Sequence, residues 1–315
     1  MTIRMPSLKA KKHTSKKSIS DAAFKIRYLR RSRELWRRYL EGKTWIGQMY
    51  RQFLGLRPGI TIIDVGCGTG DFTRYLASLT PGKSRVIGVD SRAASVKAAT
   101  KETEKTGLFK SISYRVGDVN KLPFADDYSD LTSCRTLLMH LPDPLIAVKE
   151  MTRITRSGGN VAAVEPGGMR TFHDPNDEIF TRLSLRVEES YRKGIRKLEG
   201  KQFDIGERLP GIFQKAGLTG IRTEIHADSW INSDPRRKTR EVRDEIRFGW
   251  QMFKQNQETE TRYMLAGGLT KNDVRTFIRQ QERRIKEYLS DDEKLRNDVS
   301  TYGASFFIVV GTKPA

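Results

Sequence analysis

Residues 62–76 read IIDVGCGTGDFTRYL, and VIGVD follows, ending at Asp90. A β-branched apolar strand that runs into Gly66, Gly68 and Gly70 and then opens a helix predicts a nucleotide cradle. Asp90 lies 20 residues beyond Gly70, where a βαβ unit carries the carboxylate that accepts hydrogen bonds from a ribose diol. A glycine loop by itself is also a tight turn, and an Asp at Asp90 also caps the helix that opens at Ser91. The two features together favour the nucleotide.

The spacing of the glycines narrows the ligand. A dinucleotide fingerprint has its third glycine where this chain has Asp71, and a carboxylate at a helix N-terminus repels a diphosphate. S-adenosylmethionine has an adenosine and no phosphate, so it needs close backbone approach, a carboxylate for the ribose and polar groups for its amino-acid end. The chain resembles the class I S-adenosylmethionine-dependent methyltransferases, with D-V-G-C-G-T-G as the first motif and V-I-G-V-D as the second. The stretch SDLTSCRTLLMHLPDPLIAVKEMTRITRSGGNVAAVEPGG, residues 129–168, extends this resemblance. It is similar to the branch that contains the ubiquinone and menaquinone C-methyltransferases (methyltransferase type 11), where L-x-H-L-x-D-P and R-x-x-x-x-G-G occur together. The resemblance covers about residues 55–226 and, less fully, the last strand.

The pattern around the motif fits that fold. Strands at 61–65, 85–89, 111–116, 129–134 and 160–165 alternate with helices at 70–79, 91–106 and 143–155, and a strand near 220–226 and the closing SFFIVVGTKP complete the set. The expectation is an α/β, Rossmann-like, seven-stranded and mostly parallel sheet flanked by helices. Five segments follow: a basic arm over 1–20, an N-terminal helical cap over 21–55, the core over 56–227, a helical lid or substrate insertion over 228–300 and the final strand over 301–315. An insertion of that length is too long for a loop. Thr270 and Asp273 form the capping box of a helix that runs to about Leu289.

The resemblance implies that Gly66, Cys67, Gly68 and Gly70 admit the methionine part of the cofactor and that Asp90 with Ser91 meets the ribose. In G-D-x-x-x-L-P-F, Asp118 accepts from the adenine amino group and Val119 offers its backbone amide; the other reading of Asp118 is an Asx-turn. Asp64 either orders the glycine loop or reaches the cofactor amine, and Arg135 stands at the exit of the fourth strand. Two residues are candidate bases. His140 is the one His near this edge and is either a base or a packing residue of its loop, and Glu165 is either a base or a capping carboxylate. Methyl transfer from a sulfonium is an in-line displacement, so the protein mainly aligns the acceptor and excludes water.

Composition bounds the alternatives. The formal charge is +20, and residues 1–51 hold 15 Lys/Arg against three acids, a net of +12 that leaves +8 for the rest. The arm is either a solubilising tail or a contact for nucleic acid through residues 4–51. No apolar run approaches the ~18 residues of a membrane span, and Cys67 and Cys134 are the only cysteines, which points to a reduced, cytoplasmic setting with no disulfide framework. No metal site is expected. The leading expectation is an enzyme that methylates a small or medium-sized, partly apolar acceptor held between the helices over 24–54, the helix over 174–198 and the insertion, with Trp45, Trp230, Phe248 and Trp250 as lining or as plain core. The competing expectations are an RNA or protein methyltransferase that uses Lys9 to Arg38 with Arg236, Arg237 and Lys238, and a non-catalytic cofactor-binding protein. The sequence carries no signal for oligomeric state.

Overall fold

The computed structural model describes residues 44–80, 84–108 and 110–315. The basic arm and the first helix of the cap lie outside the described residues. The second cap helix, α1 (Thr44–Phe53), ends just before Gly55. Seven strands follow: β1 (Thr61–Val65), β2 (Arg85–Asp90), β3 (Ile112–Val116), β4 (Ser129–Arg135), β5 (Thr155–His173), β6 (Thr219–Ile231) and β7 (Thr301–Thr312). They form one sheet in the order β3-β2-β1-β4-β5-β7-β6. The first five are parallel, and β7 runs antiparallel to both β5 and β6. The sheet is the Rossmann-like, mostly parallel one expected. Its strand order reverses between β1 and β4, which is where such sheets bind ligands, at the carboxyl ends of the strands.

The helices α2 (Asp71–Leu79), α3 (Ala93–Glu104) and α4 (Pro144–Ile154) are the crossovers. Pro144 opens α4 at a position where its missing N–H is no loss, and Asp143 caps it by accepting from Leu145 N at 3.0 Å. Adjacent residues of β1 go to opposite faces. Ile63 and Val65 pack with Leu138, Val148 and Met151 on one side, while Ile62 packs with Ile46, Tyr50 and Leu76 on the other. Burial on both faces explains why the strand reads as a continuous apolar run.

Three strands are longer than the sequence suggests. β5 continues from the expected 160–165 through His173, β7 pairs along it and β6 along β7, so that His173, Thr301 and Ile231 meet in one register. Gly167 and Gly303 are packing positions within these strands: an added Cβ would lie 2.6 Å from the Phe307 ring at Gly167 and 2.2 Å from the Thr171 hydroxyl at Gly303. The expected boundary at 227/228 therefore falls inside β6. The chain leaves the sheet only after Ile231 and returns at Thr301.

The remaining helices are α5 (Glu178–Glu199), α6 (Leu209–Lys215), α7 (Thr239–Gln255), α8 (Gln257–Ala266), α9 (Lys271–Ser290) and α10 (Asp292–Arg296). Thr270 and Asp273 make both bonds of the capping box that starts α9. The helix α5 buries Leu183, Val187, Tyr191 and Ile195 against Tyr263, Met264 and Leu269 of the insertion, so it packs as part of the inserted helical layer. The contact is backbone to backbone. An added Cβ at Gly194 would sit 1.8 Å from the Tyr263 carbonyl oxygen, and one at Gly267 would sit 1.7 Å from that of Ser190. Gly194→Ala must push α8 off α5 and is expected to destabilise by about 1–3 kcal/mol, read as a lower Tm; an unchanged Tm would contradict this close approach.

Candidate active site

The glycine loop is bonded to the end of β2. The amides of Gly66 and Cys67 both donate to the Val89 carbonyl, at 2.7 and 2.9 Å, and Gly70 N donates to Cys67 O at 2.9 Å. Gly70 caps α2 with φ +79, and a Cβ there would lie 2.3 Å from the Tyr114 hydroxyl. Only glycine satisfies both conditions. Gly68 differs in that its φ is +55 and nothing lies within 4 Å of the Cβ position, so the loop presents bare backbone to open space. Asp71 in the first turn of α2 is paired with Arg74 at 2.7 Å and accepts from the Thr69 hydroxyl at 3.0 Å.

Asp90 and Asp118 stand at the ends of β2 and just beyond β3. The Asp90 carboxylate is 8% exposed, and its oxygens accept from Gly68 N and Arg92 N, both at 2.9 Å. It is thereby fixed beside the bare loop, with Ser91 exposed next to it. Asp118 is exposed and makes an Asx-turn through Oδ1 to Asn120 N at 2.9 Å. The same oxygen also accepts from the Asn120 side-chain amide at 3.0 Å. Val119 is half-buried against the core.

Asp64 and Glu165 are buried carboxyls beneath the loop. Asp64 accepts from the Thr73 hydroxyl at 2.6 Å, and burial raises its pKa to about 7. Glu165 is fully buried and takes the amides of Leu137 and Leu138 at 2.8 Å and of Met139 at 3.4 Å; burial, opposed by these bonds, raises it to about 7. The carboxyl thus holds the 3-10 turn Leu138–His140 against β5. The chain is strained two residues before that turn: Thr136 has φ +51, a region a β-branched side chain rarely adopts. Arg135 lies between the Phe72 and Phe306 rings, at 5.9 and 5.8 Å. Burial lowers its pKa, and the charges of Asp71, Asp64 and Glu165 oppose that shift. The His140 ring meets Phe203 edge-on at 5.7 Å, and partial burial followed by the charges of Lys201 and Arg92 lowers its pKa.

Burial, reinforced by the Asp64 and Asp90 charges, raises the Cys67 thiol, and burial raises Cys134 well above its usual range. Both are free, neutral thiols. Among the described residues no group of three His, Cys, Asp or Glu side chains could hold a metal ion, and no helix is long and apolar enough to cross a membrane.

A cavity of about 240 Å³ opens inside the lid, between α5, α7, α8 and α9. Phe180, Tyr191, Phe248, Trp250, Tyr263 and Phe277 are among its walls. Of the four aromatics singled out in the sequence, Phe248 and Trp250 line it. Trp45 is 52% exposed and lies edge-on to His226, and Trp230 stacks on Tyr302, whose ring does line the cavity. The helix α1 packs into the sheet core through Ile46 and Tyr50. Phe180, Tyr191 and Tyr263 were not legible as lining because an aromatic on a helix face reads the same whether it meets a core or a cavity. It also missed the buried Arg284–Asp174 ion pair, whose partners are far apart in sequence. Of the basic trio after β6, Arg236 is paired with Asp234 at 2.6 Å and Arg237 with Glu245.

Comparison with known proteins agrees with this geometry. Residues 63–163 match the family described as "Methyltransferase domain". A demethylmenaquinone methyltransferase from Staphylococcus aureus is 32% identical over 192 residues, covering 57% of this chain and 76% of the relative. This chain belongs to the class I S-adenosylmethionine-dependent methyltransferases. An uncharacterised 37.1 kDa protein of transposon TN4556 from Streptomyces fradiae is 31% identical over 163 residues, which are 50% of this methyltransferase and 46% of that protein; the chain spans just under half that relative's length. A Bacillus halodurans structure assigned as a methyltransferase superposes with a TM-score of 0.51 at 17% identity, covering 85% of this chain and 99% of the other, and so shares the fold. The cofactor of the methyltransferase is S-adenosylmethionine, and the bare backbone at Gly68 beside the fixed Asp90 carboxylate fits a phosphate-free adenosine.

The raised carboxyl at Asp64 has a consequence for stability. With an unfolded pKa near ~3.9 and a folded one of about 7, the folded cofactor-free protein keeps a proton that the unfolded chain has lost. Its contribution is full below about pH 4 and is lost as pH rises through 7. Glu165 acts in the same direction, and His140, whose pKa is lowered, acts in the opposite one. Asp64→Asn keeps an acceptor for Thr73, so the expected result is a smaller fall in Tm between pH 5 and 8 and a variant more stable than the parent at pH 8. An unchanged slope would mean that Asp64 is ionised in the folded protein.

Proposed function

We propose that this methyltransferase transfers a methyl group by in-line displacement to a small or medium-sized, partly apolar acceptor held in the aromatic cavity of the lid. The observation that carries the reading is the cavity itself, walled by α5 and the inserted helices and reaching Lys201 and Phe203 beside His140. Apolar pockets with few polar groups are the usual form of small-molecule sites. The Staphylococcus aureus relative, named for demethylmenaquinone, is consistent with an apolar acceptor.

In this reading the chain's own residues divide into two sets. When bound, S-adenosylmethionine supplies a methyl group made electrophilic by its sulfonium. Gly66, Cys67, Gly68 and Gly70 offer backbone to the amino-acid end, Asp90 and Ser91 hold the ribose, and Asp118 and Val119 hold the adenine through a carboxylate oxygen and the backbone amide. Asp64 and Arg135 set the charge beneath the methionine end. Glu165 is a positioning residue: its carboxyl is taken up by three backbone amides, so it shapes the 136–140 turn. His140, with its pKa lowered, is neutral at physiological pH and can accept a proton from an acceptor at the cavity mouth.

Asp90→Ala removes charge-assisted bonds to the ribose, each worth about 1.5–3 kcal/mol. The expected result is S-adenosylmethionine binding at least roughly tenfold weaker by calorimetry, and loss of labelled methyl transfer to apolar acceptors from a cell extract. Unchanged affinity in Asp90→Ala and Asp118→Asn would overturn the assignment of these residues. Label appearing only in RNA or protein would overturn the small-acceptor reading.

A further inference from the structure

The outer side of the lid carries charge that its own acids do not balance. On α9 the exposed charged residues are Lys271, Arg275, Arg279, Arg283 and Lys286, all basic. Four-residue spacing sets the first four in one row along the helix. The acids of α9 are half-buried: Asp273 pairs with Arg186, Glu282 with Lys286 and Glu287 with Lys294. Among the described residues Arg275 and Arg279 make no ion pair, and Arg283 reaches only Asp177, at 3.9 Å. The other side of α9 gives Phe277, Gln281, Arg284 and Tyr288 to the cavity, so the basic row is the back of the cavity wall.

The helix α5 runs beside this row in the opposite sense. Its N-cap Asp177 approaches Arg283, and its Arg186 approaches Asp273 at 3.3 Å. Arg182 and Arg186 are both exposed, the first paired with Glu178 at 2.9 Å. Ile179, between the N-cap and Arg182, is 76% exposed, more than any other large apolar side chain among the described residues. Val299, 52% exposed, adjoins the same end of α9, because the neighbouring Ser300 hydroxyl lies 3.4 Å from Arg284. Single exposed aliphatic side chains are ordinary on a protein surface. Two of them at the margin of an arginine row make the composition of a lipid interface, where cations meet headgroup phosphates and aliphatic side chains enter the acyl boundary.

We propose that the α5–α9 face of the lid docks on an anionic lipid bilayer, with Arg275, Arg279 and Arg283 against the phosphates and Ile179 in the acyl boundary. A nucleic acid would meet the same cations. Single strands, however, are held by rings that stack on bases, and Trp45, the one aromatic among the exposed large apolar side chains of the described residues, lies on α1. An aliphatic tip gains nothing against a phosphodiester backbone.

Residues 1–51 carry a net +12 and also attract anionic lipid, so the test compares variants of the full chain. Each is sedimented with vesicles of mixed phosphatidylglycerol and phosphatidylcholine, and with pure phosphatidylcholine as the neutral control. The expected result is binding to the mixed vesicles only, at least roughly tenfold weaker when Arg275→Glu, Arg279→Glu and Arg283→Glu are combined and at least roughly threefold weaker in Ile179→Ser. Should the triple reversal fail to fold, the three Arg→Gln changes at these positions decide, with an expected loss of at least roughly fivefold. Binding that these arginine variants leave undiminished belongs to the amino-terminal region and overturns the proposal, as does no binding to mixed vesicles. Unchanged vesicle affinity in Ile179→Ser overturns it as well, and duplex RNA bound by the parent and lost by the triple reversal then gives the face to nucleic acid. Vesicle binding is read without methyl transfer, so the outcome does not depend on which acceptor the cavity takes.

Discussion

The Asp90 carboxylate is the constraint on which the cofactor edge depends. With one oxygen on Gly68 N and the other on Arg92 N, it ties the loop after β1 to the turn after β2. The Val89 carbonyl adds a second tie through Gly66 and Cys67. These bonds fix a loop whose glycines would otherwise make it the most flexible segment of the core. A site built to approach a ligand with bare backbone has no side chains to hold its own shape, and the neighbouring carboxylate supplies that rigidity. One carboxylate thus sets the position of both turns at the ends of β1 and β2.

The opposite wall is organised by Glu165. Its carboxyl gathers the amides of residues 137–139 under β5, and Thr136 is driven to φ +51 where β4 enters that turn. Asp64, Asp71, Glu165 and Arg135 lie close enough to bear on one another electrostatically. The three acids offset the burial of one guanidinium, which is how a charged cluster persists beneath an otherwise apolar sheet. Burial pushes two of those acids upward, to about 7 each, so the charge beneath the cleft is itself sensitive to pH near neutrality.

The cofactor half was legible because its chemistry is local. Gly66, Gly68 and Gly70 lie within five residues, Asp90 follows at a fixed interval, and strand–helix alternation with β-branched strands specifies the parallel sheet. The capping box at Thr270 and Asp273 was legible for the same reason. The long strands were not: Gly167 and Gly303 look like punctuation until the partner strand shows that side chains would collide there. The role of Glu165 was open because a carboxylate after a strand serves equally as base or cap until its amide partners, nearly 30 residues away in sequence, are known. The lid cavity was hidden by the ambiguity of aromatics at helical spacing, which reads the same for a core as for a binding wall.

The strands β5, β7 and β6 link the two halves. By running past the parallel core as an antiparallel ribbon, they carry the insertion beyond the cofactor edge, and α5 returns from the tip of the ribbon to that edge. Gly194 and Gly267 let α8 lie against α5 at backbone contact, and the buried Arg284–Asp174 pair joins α9 to the segment that leads into α5. The lid is therefore fastened along its length to the helix that forms one wall of its own cavity. In such an arrangement the residues facing the cavity can vary while the ribbon keeps Phe203 beside His140. Such a division between a fixed frame and a variable interior fits a chain whose β1–β2 motifs are explicit in sequence and whose inserted helices carry none.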